Sequence, residues 1–153
     1  MSSELPEQAA QALRTALQAE HAAVWTYGLA TAFAEQSAVS SAEQQATELH
    51  ERHRDDAERL IRAAGSTPAV AAPAYELPQQ VTDENSAIRV LTLAEQECAV
   101  GWRAVLERTE PDSGDPAVRQ LALDALTTAA SRATRWRITI GEEPAAKAFP
   151  GQP

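Results

Sequence analysis

GSTPAVAAPAYELPQQV, residues Gly65 to Val81, lies between two long periodic segments and holds three prolines. Proline has no amide hydrogen, and it pushes the residue before it out of helical geometry. The stretch therefore reads as extended chain. A turn between two antiparallel helices needs only a few residues, far fewer than the seventeen here. A helix of about two dozen residues is roughly 36 Å long at 1.5 Å per residue. Seventeen extended residues cover that distance at about 3.3 Å each. The stretch thus predicts a crossover that runs the length of a bundle and leaves the helices on either side of it parallel.

The flanking sequence supplies those helices. Ala, Leu, Glu, Gln and Arg dominate it, and these residues lose little side-chain entropy in a helix. Helix 1 is expected from about Pro6 to Gln36, with Leu13, Leu17, Val24 and Gly28 on one stripe. Helix 2 is expected from about Ser41 to Ala64, with Ser40 and Glu43 as a capping box and Gly65 as the stop. Helix 3 runs from about Asp83 to Arg108, capped by Thr82 or Asp83, with a stripe of Ala87, Leu91, Cys98, Trp102 and Val105. Helix 4 runs from about Pro116 to Ile140. Asp115 caps it, Gly141 ends it, and Val118, Leu121, Ala122, Ala125, Ala129 and Trp136 form its stripe.

Short connections near Ser37–Ser40 and at TEPDSGD, Thr109 to Asp115, make helices 1 and 2, and helices 3 and 4, antiparallel neighbours. The expected fold class is all-α: a four-helix bundle of two antiparallel hairpins joined by the long crossover between helices 2 and 3. Residues 1–140 form the one domain. Residues 141–153 are a Pro-rich tail, frayed or laid on the surface through Phe149.

Composition narrows the function classes. The chain has 153 residues and a formal net charge of -9, whereas a nucleic-acid surface needs an excess of Lys and Arg. The same charge disfavours anionic membranes. No apolar run is long enough to span a bilayer, and the N-terminus lacks the basic and apolar regions of a signal peptide. With a single cysteine, Cys98, no internal disulfide can form. These features together read as a cytoplasmic protein with neither nucleic acid nor membrane as partner.

Some ionisable residues fall inside the apolar stripes. Glu20 lies about 60° from the centre of the helix 1 stripe and His21 about 40° to the other side. His53 sits near the centre of the helix 2 stripe, with His50 and Asp56 at its edges. Glu95 is on the shoulder of the helix 3 stripe, and Arg132 points inward from helix 4. With a short turn between helices 1 and 2, Glu20, His50, His53 and Glu95 come to one level of the interior. Buried charges there require partners.

An inward Glu on helix 1, an i, i+3 pair ending in His on helix 2, a long crossover and an inward Glu on helix 3 resemble the ferritin and rubrerythrin superfamily. The wording AEHAAVWTYG, HERHRDD, AYELP and RATRWR is similar to an uncharacterised actinobacterial ferritin-like domain. The resemblance covers about Leu5 to Ile140. It implies a ferritin-like bundle and a metal site in its interior. Di-iron members supply Glu-x-x-His from helix 2 and again from helix 4. Glu20, His53 and Glu95 match that pattern. His50 stands where a Glu is expected, and helix 4 has no Glu or His.

Two readings of the interior follow. In one, Glu20, His50, His53 and Glu95 ligate a metal, most simply a single Fe, Mn or Zn ion, for redox or oxygen chemistry. In the other, the di-metal site is degenerate, no cofactor is required and the protein is not an enzyme. Arg132, or Arg52 or Arg54, then pairs with the carboxylates in a structural polar core. His21 reads as a satisfied helix-edge histidine or an extra ligand, Asp56 as solvated, and Cys98, Trp102 and Trp136 as core. Trp25, Leu29 and Phe33 form a second apolar strip on the back of helix 1, with Leu93 and Val100 behind helix 3. The strip is expected to be a homodimer interface. Its alternatives are cover by the crossover around Tyr75 and Leu77, or a docking face for another protein.

Overall fold

The helices of the computed structural model, which describes residues 5–112 and 115–153, are α1 (Glu7–Ala30), α2 (Ser37–Ala63), α3 (Glu84–Glu107) and α4 (Pro116–Ile140). A short 3-10 turn, Thr31–Phe33, follows α1, and no strand occurs among the described residues. Ser113 and Gly114, inside the expected α3–α4 connection, lie outside the described residues.

The long crossover does reverse the chain. Glu84, at the start of α3, accepts hydrogen bonds from the backbone amides of Glu35 and Gln36 and from the Gln36 side chain (2.9 Å for Gln36 N, 2.8 Å for Gln36 Nε2). The beginnings of α2 and α3 therefore sit at the same end of the bundle, and the two helices are parallel. The crossover lies against α1. His21 Nε2 is 3.0 Å from the Ala69 carbonyl oxygen and 3.7 Å from Glu58. The Trp25 and Tyr75 rings are 5.9 Å apart between centroids. His21 is thus the satisfied helix-edge histidine. Part of the second apolar strip on α1 is accounted for as well: Tyr75 faces Trp25, and Phe33 packs on the cluster around Tyr27, Val39, Leu91 and Trp136.

The expected stripes of α3 and α4 are buried, but that of α1 is displaced. Gly28 is exposed and Val24 half-buried. The inward line is Leu13, Leu17, Glu20, Ala23, Tyr27 and Ala30, so Glu20 lies within it and not beside it. Capping matches the expectation at Asp83, which accepts from the Ser86 amide, and at Asp115, which accepts from the Ala117 amide. Gly65 and Gly141, with positive φ, follow the last residues of α2 and α4.

At α2 the expectation fails. The helix begins at Ser37, a turn before Ser40, and Gln36 at its N-cap makes no side-chain cap. Glu84 of α3 takes up the amides just ahead of this helix start, where an anion is favoured, and these bonds hold its carboxyl below the usual range. Glu43 is thereby inside the helix and buried, and neither of its carboxylate oxygens has a hydrogen-bond partner.

Two hydrophobic clusters fill the bundle, one around Leu13, Leu17, Trp102 and Val105, the other around Tyr27, Leu91 and Trp136. α1 and α3 approach closely at Gly101, where a Cβ would lie 3.1 Å from the Ala16 Cα. That neighbour is helix backbone and cannot swing aside. Gly101→Val is therefore expected to force α1 and α3 apart and to cost about 1–3 kcal/mol, the usual penalty of overpacking, measured by urea unfolding.

Burial, reinforced by the nearby Glu84 carboxylate, raises the Glu43 pKa to about 7. A raised carboxyl pKa means that the folded state holds a proton the unfolded state has released. For this group alone, stability should then fall as pH rises from about 4.5 to 7 and level off above that. Glu43→Gln should remove the Glu43 share of the slope, leaving the share that the raised His50 pKa adds above about 6.5. It should leave the protein more stable at pH 8 than the native chain, by on the order of 2 kcal/mol, as read from paired denaturation curves at pH 5 and pH 8.

Candidate functional site

Glu20 projects from the middle of α1, His50 and His53 from α2, and Glu95 from α3. All four are buried, the carboxylates at 1% and 0% exposure. His50 donates through both ring nitrogens: Nδ1 to Glu20 Oε2 (2.6 Å) and Nε2 to Glu95 Oε1 (2.9 Å). Neutral imidazole has only one N–H, so this arrangement calls for imidazolium. Burial opposes that charge, but the Glu95 and Glu20 carboxylates outweigh it and hold the His50 pKa well above its ordinary value.

Other donors surround the carboxylates. Trp102 Nε1 donates to Glu20 Oε1 (2.7 Å). Tyr27 donates to Glu95 Oε1 (2.6 Å) and in turn accepts from Trp136 Nε1 (2.7 Å). Burial and the Glu95 carboxylate push the Tyr27 hydroxyl pKa up, so it stays a donor. Arg132 Nε of α4 is 3.4 Å from Glu95 Oε1. Of the three arginines considered, Arg132 is the one beside a carboxylate bonded to His50, while Arg54 pairs with Asp55 and Arg52 is exposed. Imidazolium and guanidinium together balance the two carboxylates.

His53 stands at the edge of the group. Its Nδ1 is 3.9 Å from Glu20 Oε1, and burial, which outweighs the pull of Glu20, lowers its pKa toward the neutral form. Asp56 is half-exposed and bonds Arg59. Cys98 adds a possibility that its place in an apolar stripe concealed: a thiol sulfur, a Glu20 oxygen and a His50 nitrogen all lie within 4.8 Å of one another. Burial raises the thiol pKa strongly, and the thiol faces the Ala19 carbonyl at 3.5 Å.

Tyr27 went unnoticed in the sequence because an aromatic residue on a helix reads as packing. Only its spacing of seven from Glu20, two turns on the same face, marked it as a partner. The role of the indoles had no sequence signal, since a Trp in a stripe looks the same whether or not its N–H is used.

Helix α4 brings the Arg132 guanidinium to Glu95 and the Trp136 indole to the Tyr27 hydroxyl. Of the possible donors to a single cation, Glu20, His50 and Cys98 have ligand atoms mutually within 4.8 Å. His53 and Glu95 are outside that group, Glu95 being at the opposite ring nitrogen of His50 from Glu20, and Glu95 Oε2 is buried without a hydrogen-bond partner. To ligate, His50 would have to release a proton and one of its carboxylates.

Comparison with known proteins agrees with this architecture. A conserved hypothetical protein from Mycobacterium tuberculosis, rv2844, is 35% identical, with 88% of this chain and 98% of that one covered and a TM-score of 0.80. A bacterioferritin-related protein from Bacteroides fragilis, described as a dodecameric thioferritin, superposes with a TM-score of 0.73. It is 16% identical, with 90% of this chain and 89% of that one covered, and so bears on the ferritin-like fold alone. No curated protein matches the sequence. The family described as "Domain of unknown function (DUF4439)" matches residues 12–153, and the chain belongs to that family.

Proposed function

We propose that this chain is a ferritin-like protein whose central site has become a structural polar core, without a di-metal centre and without catalysis. One observation carries the reading: His50 is clasped by two carboxylates while Arg132 of α4 stands at Glu95. In that state neither ring nitrogen of His50 has a lone pair to offer a metal. The guanidinium repels a cation from the side where the superfamily places ligands. Removing one partner of such a buried group leaves the others uncompensated, which is strongly destabilising.

Arg132→Ala is accordingly expected to lower stability by about 3 kcal/mol, measured by chemical denaturation. The native protein, purified without chelator and mixed with Fe(II), Mn(II) or Zn(II), should retain no stoichiometric metal after desalting and show no shift in Tm. Stoichiometric metal that disappears in Glu20→Ala and His50→Ala would sink the structural reading.

That outcome would favour the second reading, a single Fe, Mn or Zn ion held by Glu20, His50, His53 and Glu95. The unpartnered Glu95 Oε2 and the nearness of the Cys98 sulfur support it. Residues of this chain would then bind and orient the ion, and the ion would supply redox or Lewis-acid chemistry.

For assembly, the proposal is a homodimer through the back of α1. Trp25, Leu29 and Phe33 remain partly exposed, although Tyr75 already faces Trp25. Light scattering should give twice the chain mass, and Leu29→Asp should return a monomer. The same face, if the chain is monomeric, is the surface on which a different protein would dock. The cytoplasm is the proposed compartment, since the one cysteine is buried and unpaired. No helix among the described residues is long and apolar enough to cross a membrane.

A further inference from the structure

The C-terminal segment is laid along α3 and α4, but not through Phe149, which is 69% exposed. It is held by Gly151, where a Cβ would lie 2.6 Å from the Ala99 carbonyl oxygen. Arg103 Nη1 donates to the Pro150 carbonyl (3.2 Å), and Arg137 Nη1 to that of Ala145 (2.9 Å). Between this segment and the two helices lies a groove of about 840 Å³. Val100, Ala133, Phe149 and Pro150 give it apolar walls, and Gln96, Arg137 and Lys147 give it a polar end.

The charge at that end is unusual for this molecule. The chain carries a net charge of -9 and a single lysine, and that lysine is here. Arg137 is 2% exposed, yet neither it nor Lys147 forms an ion pair with a carboxylate among the described residues, Glu97 of the same groove included. Both cations converge on one neutral group. With the Gln96 amide turned to satisfy its neighbours, its oxygen accepts from Arg137 Nη2 at 3.0 Å and from Lys147 Nζ at 2.9 Å. A buried guanidinium without a counter-charge is costly, and a guanidinium beside an ammonium is suited to grip carboxylate or phosphate oxygens.

We infer that this groove is a binding site for a small organic anion. The head, a carboxylate or phosphate, takes the place of the Gln96 oxygen between Arg137 and Lys147, and an apolar body lies along Val100, Ala133, Phe149 and Pro150. The groove borders the His50 clasp, since Glu95 is also among its lining residues, but the anion is held at Arg137 and Lys147, neither of which belongs to the clasp.

Isothermal titration of the full chain with decanoate, and separately with inorganic phosphate, tests the inference. Decanoate is expected to bind one to one. Lys147→Ala, at an exposed position, should weaken it about tenfold, the loss expected for one charge-assisted hydrogen bond. Gln96→Glu places a tethered carboxylate between the two cations, so it should abolish binding and raise Tm. No binding to the native chain, or equal binding to both variants, overturns the site. Phosphate binding as tightly as decanoate overturns the role given to the apolar walls. If Gln96→Glu does not fold, Lys147→Ala alone decides.

Discussion

The imidazolium of His50, held between Glu20 and Glu95, is the interaction on which the rest of the interior depends. It holds two carboxylates from different helices on either side of one ring, in a medium that would otherwise drive them to protonate or separate. α1, α2 and α3 are tied at one level by this ring, and α4 joins through Arg132 and through the Trp136–Tyr27 link. The remaining donors are placed as they are because the carboxylates need them. Two indoles and a phenol, all apolar in bulk, bring single N–H or O–H groups into a core that could not admit water-loving side chains. Most of the network is satisfied in this way, and Glu95 Oε2 is the atom where it is not closed.

The ends of the bundle show the same economy of partners across helices. Glu84 belongs to α3 by sequence but serves the amides that precede α2. Its presence lets α2 start a turn earlier than a local capping box would allow. Glu43 is carried inward as a consequence and faces Glu84 with no donor of its own. One acid is thus well served and the other is left to hold a proton. The two clusters of apolar side chains account for the tight contacts between α1 and α3, and Gly101 marks where backbone meets backbone.

Much of this was legible in the sequence for reasons that can be named. The prolines of Gly65–Val81 fixed the direction of α3 because chain length and helix length are both simple geometry. Helical period located Glu20, His50, His53 and Glu95, apolar partners such as Leu91 and Val118, and the inward Arg132. What escaped were facts of pairing. A capping box at Ser40 and Glu43 is a local pattern, and it lost to a carboxylate 48 residues along the chain from Gln36. Gly28 and Val24 continued an ideal stripe, but Tyr27 and Ala30 occupy the core. The seating of the tail on α3 and α4 rests on the small size of Gly151 and on two carbonyls, none of which carries a hydrophobic signal. Whether the core holds a proton or a metal is not written in residue types, because His and Glu serve both.

The use of Trp102 and Trp136 as hydrogen-bond donors has an optical consequence. Indole emission responds to the charge and hydrogen bonding at its N–H, and these two rings touch the Glu20 side and the Glu95 side of the clasp respectively, the second through Tyr27. Trp25, against Tyr75, senses the crossover instead. The molecule therefore contains its own set of fluorophores, two tuned to the electrostatic state of the interior and one to the strap outside it.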